Sequence, residues 1–141
     1  MKVEIEWTSN EAEVWRSSGC LYAYLHPRTG EILFIGKAGN STVKQSFEAP
    51  DQCDLFEYFQ AILRLDSKDL SVIVGEVILE DGRRLTKELL ADIEKVLSKR
   101  VKPPGNIQDN NNEVSRPGMV VSCTGEWPHN RKLFVDSDKP F

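Results

Sequence analysis

Hydrophobic and polar residues alternate over Lys2–Thr8. Val3, Ile5 and Trp7 fall on one face, which predicts a half-buried strand. Ser9–Ser17 is expected to hold a short helix capped by Ser9 or Asn10. Two short apolar runs follow, Cys20–Leu25 and Ile32–Ile35. The intervening HPRTGE supplies proline and Thr-Gly turn chemistry, so the two runs are predicted to pair as a hairpin. Period-two geometry sets Tyr22 and Tyr24 on one face of the first strand and Leu21, Ala23 and Leu25 on the other. Gly36 and Gly39 bracket Lys37 and Ala38, permitting a tight exit from the second strand and close approach of a ligand to the backbone.

Asn40–Glu48 reads as a helix entered from Asn40 or Ser41. Asp54–Leu65 carries Leu55, Tyr58, Phe59, Ile62 and Leu65 at helical spacing. Leu70–Leu79 is apolar and β-branched, which predicts a central strand ended by Glu80-Asp81-Gly82. Lys87–Val101 is the strongest helix, with an apolar stripe of Leu89, Ile93, Val96 and Leu97 and a stop at Pro103-Pro104-Gly105. NIQDNNNEVSRPG at 106–118 is a polar loop, and Met119–Cys123 is a further strand. The tail from Gly125 suits a docking arm or a packed C-terminal strand. This order predicts an α+β domain with a small, mostly antiparallel sheet, including the hairpin, flanked by helices. Residues 1–17 are expected to pack onto a central unit at 18–107, with 108–141 extending the same compact domain.

The chain has 141 residues, enough for one domain with a core that needs no covalent staples. No apolar stretch approaches the roughly 18–20 residues of a membrane span. The first residues lack the basic flank and apolar core of a signal peptide, so no membrane association and a cytoplasmic location are expected. Three isolated cysteines, Cys20, Cys53 and Cys123, fit neither a disulfide framework nor a zinc site. His26 and His129 lie beside prolines and read as loop residues. Net charge is −4, which argues against coating nucleic acid by bulk electrostatics. Between Arg83 and Lys102, however, seven basic residues stand against three acidic ones. That stretch is either a solvated helix face or a local basic surface.

GCLYAYL followed by LFIGKAG resembles the hairpin signature of the GIY-YIG nuclease family. Its first motif stands here as Cys20-Leu21-Tyr22 and its second as Phe34-Ile35-Gly36. Lys37 and Ala38 continue as in the excision-repair branch of the family. The segment Glu94 to Asn106, with Pro103 and Pro104 between, resembles the family's later helix, which carries a metal-binding glutamate and leads to a proline and an asparagine. The resemblance covers about residues 18–107. Helix geometry independently sets Glu94 about 100° round from Ile93, on the flank of the apolar stripe beside Leu90 and Val101.

The resemblance implies hydrolysis of a nucleic-acid phosphodiester, DNA in the first place, with a single Mg²⁺ or Mn²⁺ on Glu94 and water completing its shell. It implies Tyr22 as general base, aided by the charge of Lys37, and Lys44 as a phosphate contact. Gly36, Asn106, Lys99 and Lys102 are the expected substrate-binding positions. The pattern also departs from the family: Phe34 stands where the second tyrosine belongs, Lys44 where an arginine belongs, and Glu48 four residues further on. These departures keep a second reading open, a catalytically degenerate GIY-YIG fold that acts as a nucleic-acid- or protein-binding module; in either reading a protein partner or a homo-oligomer is an expected source of specificity. Trp7, Trp15 and Trp127 read as packing residues, with base stacking as their alternative.

Overall fold

The computed structural model describes residues 1–9, 14–80, 82–109 and 118–135. Six strands form one sheet: β1 (Lys2–Thr8), β2 (Cys20–Leu25), β3 (Ile32–Ala38), β4 (Ser71–Leu79), β5 (Val120–Gly125) and β6 (Leu133–Val135). Their spatial order is β3-β2-β4-β1-β5-β6. Every pairing is antiparallel except β1 with β5, which is parallel. The architecture is the α+β class with a mixed sheet. β1 lies inside the sheet between β4 and β5. The tail contributes a strand, β6, and buried Trp127.

Three helices accompany the sheet among the described residues: α1 (Val43–Glu48), α2 (Cys53–Tyr58) and α3 (Lys87–Val101). α3 packs Leu89, Leu90, Ile93, Val96 and Leu97 against Ile5, Leu21, Ala23, Ile35 and Ile73. Each aliphatic side chain so buried contributes about 1.5–3 kcal/mol. The opposite face carries Tyr22, Tyr24, Leu33 and Val74, covered by Val43 of α1 and by Phe59. The alternation of Tyr22 and Tyr24 against Leu21, Ala23 and Leu25 is therefore a division between two cores. Where β1, β4 and β5 extend beyond α1 and α2, the second face presents Glu4, Glu6, Glu76 and Ile78 to solvent. An antiparallel sheet tolerates one wet face.

The helix boundaries have local causes. α1 begins at Val43 because Thr42, not Asn40 or Ser41, is its cap. The Gln45 N–H donates to the Thr42 hydroxyl at 3.2 Å, and the Thr42 N–H donates to Gln45 Oε1 at 2.8 Å, a reciprocal capping box. α3 begins after Thr86, whose hydroxyl accepts the Leu89 N–H at 3.1 Å. It ends at Lys102 in the left-handed region, φ 54°, just before Pro103. The amphipathic helix expected over Asp54–Leu65 is shorter than its spacing suggests. α2 stops at Tyr58 and passes into a π-helical turn, Phe59–Leu63. The wider turn rotates later residues off the core face. Beyond the start of that turn Ile62 is 62% exposed, while Phe59 and Leu65 are buried; Tyr58, which precedes the turn, is 39% exposed. Residues 10–13 of the helix expected over Ser9–Ser17 lie outside the described residues, as does most of the 106–118 loop, which opens as a 3₁₀ turn over Pro104–Asp109. No described helix is long and apolar enough to cross a membrane.

Candidate active site

β3 is an edge strand, paired only with β2. Its register sets Gly36 opposite Tyr22 and Lys37 opposite Leu21. Directly opposed residues share a sheet face. Lys37 therefore projects on the α3 side and Tyr22 on the α1 side.

On the α3 side, the Lys37 ammonium lies 3.8 Å from Glu94 Oε2. The carboxylate is 14% exposed and the lysine 48%. Lys37 also lines a shallow cleft of about 420 Å³, with Gly39, Lys87, Glu88, Leu90 and Ala91; Glu94 is not part of its lining. The boundary position expected for Glu94 from the helical wheel is the position it occupies. Lys37 was expected to serve Tyr22, but the pleat turns it to Glu94.

On the α1 side, Tyr22 is 3% exposed. Its ring crosses the backbone of Gly36, where an added Cβ would stand 2.6 Å from the tyrosine oxygen and 2.8 Å from the Phe34 ring. Glycine is required here for close approach rather than for an unusual backbone angle. Tyr22, Tyr24 and Phe34 form one aromatic cluster, with centroids 5.4–6.1 Å apart. Tyr24 is fully buried and donates to Gln52 Oε1 at 2.8 Å. Lys44 is exposed on α1, also on this side, with its backbone N–H bonded to the Trp15 carbonyl at 3.2 Å. Glu48 is exposed on the same helix.

The remaining expected residues lie elsewhere. Asn106 is 1% exposed and its amide binds backbone: Oδ1 accepts the Ile35 N–H at 2.8 Å and Nδ2 donates to the Ile35 carbonyl at 2.9 Å. It secures the strand that carries Gly36 and Lys37. Lys99 is half-buried near the C-terminal end of α3 and Lys102 is exposed just past it. Lys102 lines a second hollow, of about 290 Å³, with Gly30, Ile32, Pro104 and His129 at the opposite end of β3 from Lys37. From Glu94 to Lys102 the helix rises about 12 Å. Neither Lys99 nor Lys102 lines the cleft beside Lys37. Both histidines sit in turns, each accepting backbone N–H groups at Nδ1. Trp7 and Trp127 are buried and in mutual contact at 5.0 Å, as packing residues.

Glu94 provides a hard oxygen donor suited to Mg²⁺ or Mn²⁺. The described residues hold no group of three or more His, Cys, Asp or Glu that would form an all-protein cage. A cation at Glu94 would draw the rest of its shell from water and substrate, which is Mg²⁺-like behaviour. The donor chemistry fits that ion.

No protein-family model matches this chain, and no significant match is found among curated proteins or solved structures.

Proposed function

We propose that the chain is a divergent GIY-YIG-type endonuclease that hydrolyses a nucleic-acid phosphodiester with a divalent ion held by Glu94. One observation carries this reading. Lys37 of the second motif and Glu94 of the later helix, distant in sequence, meet at 3.8 Å beside an open cleft at the sheet edge. A bound Mg²⁺ or Mn²⁺ supplies charge neutralisation at the phosphate and at the leaving oxygen. The chain's own groups bind and orient. Lys37 and Lys87 flank the cleft and attract the phosphate, and Asn106 fixes the strand from which Lys37 projects. Tyr22 is a positioning residue in this reading. The β3 backbone stands between it and Glu94, so it packs against Gly36 instead of taking a proton from the attacking water.

A cleavage assay tests the proposal. Plasmid, single-stranded DNA and RNA are incubated with Mg²⁺, Mn²⁺ or EDTA, wild type beside Glu94→Ala. Cleavage that needs the metal and is lost in the variant is expected. A folded protein that cuts none of the substrates would overturn it.

The separation of Tyr22 from Glu94, together with Phe34, favours a second reading, a degenerate fold of the same type that binds without turnover. Nucleic-acid binding would then survive Glu94→Ala and weaken steeply with salt. A protein-binding role would show neither dependence.

A further inference from the structure

The Lys37–Glu94 contact gives Lys37 a function in addition to attracting the phosphate. We propose that Lys37 is the resident counter-ion of Glu94, competing with a divalent cation for the carboxylate and, once displaced, passing its charge to a phosphate in the adjoining cleft. This rests on the reading of Glu94 as the metal-holding residue.

The two partners are unequal. Glu94 is held in the middle of a packed helix and is largely covered, whereas Lys37 is half-exposed on an edge strand. A carboxylate drawn this far out of water needs a compensating cation nearby. Lysine's long stem lets its ammonium leave at little conformational cost, while the carboxylate stays in place. An ammonium and a divalent cation beside the same oxygen atoms repel one another, so the lysine lowers metal affinity while it remains. When it leaves, it stays tethered between Gly36 and Gly39 at a cleft that already holds Lys87. That cleft, which the carboxylate of Glu88 also lines, then has two ammonium groups for one phosphate and keeps a net positive charge. Metal and phosphate binding become mutually favourable, and by linkage each strengthens the other equally.

Direct Mn²⁺ binding, followed by electron paramagnetic resonance, tests this without reference to cleavage. The proteins are wild type, Lys37→Gln, Lys37→Arg and Glu94→Gln, each first shown to melt as a folded protein. Removing one positive charge at this distance is expected to tighten Mn²⁺ binding about tenfold in Lys37→Gln. Lys37→Arg, which keeps the charge, should bind as wild type does, and Glu94→Gln should abolish the site. A short phosphorothioate single strand should tighten Mn²⁺ binding on wild type and do so less on Lys37→Gln. Equal or weaker Mn²⁺ affinity in Lys37→Gln, with binding still dependent on Glu94, would overturn the counter-ion role and leave the metal reading standing. No Glu94-dependent Mn²⁺ binding in any of the proteins would overturn both.

Discussion

Asn106 takes the place of a neighbouring strand at Ile35: one side-chain amide closes both the N–H and the carbonyl of that residue, at 2.8 and 2.9 Å. Both groups point away from β2, on the open side of the edge strand, and Asn106 is itself buried. Asn106→Ala strands two backbone polar groups at once and is expected to cost about 2–4 kcal/mol. Asn106→Asp keeps the acceptor but turns a carboxylate oxygen on the Ile35 carbonyl. Its loss should be at least as large at neutral pH and smaller in acid, where a protonated carboxyl can donate. Thermal melts of both variants check this; an unchanged midpoint for Asn106→Ala would show that the clamp carries no stability.

Gly36 and Tyr22 form the second close relationship in the hairpin. Any side chain at 36 meets the Tyr22 ring and the Phe34 ring at less than 3 Å. Gly36→Ala should therefore destabilise by about 1–3 kcal/mol, the usual range for overpacking. Combining it with Tyr22→Leu, which lacks the hydroxyl and the ring, should recover part of that loss. Chemical denaturation of the single and double variants measures the coupling, and strict additivity would mean that the two side chains do not compete for space.

The elements most legible in the sequence are those whose cause is local. β1, the hairpin and α3 follow from periodicity, and α3 stops where Pro103 requires it. Glu94 was legible as a boundary residue for the same reason. Three features were not. The place of β1 between β4 and β5 depends on pairing across most of the chain, which no local pattern encodes. The π-helical turn after Tyr58 moves Ile62 off a stripe that an unbroken helix would have buried. The partner of Lys37 depends on the pleat: adjacent residues 36 and 37 face opposite ways, so Tyr22 and Lys37 part company although the motif sets them close. The caps had overlooked local signals: Thr42 with Gln45 three residues on, and Thr86 just before Lys87.

Glu6 and Glu76 oppose each other directly across β1 and β4, both exposed on the wet face of the sheet. Like charges at a cross-strand pair oppose folding. Glu76→Thr removes the repulsion and adds a β-branched residue, and should stabilise by about 0.5 kcal/mol. The gain should shrink as salt screens the pair. Urea midpoints at low and high ionic strength check both statements. A destabilised variant would mean that Glu76 has a favourable contact outweighing its repulsion from Glu6.

Cys20 and Cys123 link the two cores to alkaline pH. Burial, with a smaller push from the charge of Glu76, raises the Cys20 thiol from 9.0 to about 11. Burial raises Cys123 to about 12, with the Trp7 indole acting in the opposite sense. Both thiols stay protonated in the folded chain at a pH where the unfolded chain has released its protons. The unfolded state then binds fewer protons than the native one, so stability falls as pH rises. The contribution is complete below about pH 9 and is lost between there and pH 11–12 as the folded-state values are passed. Denaturant midpoints at pH 8 and pH 10 should show the drop. The paired substitution Cys20→Ala and Cys123→Ala should lower stability at both values but flatten the difference between them. Cys53 is exposed and serves as the internal control. A thiol reagent should modify it alone in the native protein and all three cysteines after unfolding. Rapid native-state labelling of Cys20 or Cys123 would show that the cores open too readily to hold their thiols protonated, and the pH dependence would then have another origin.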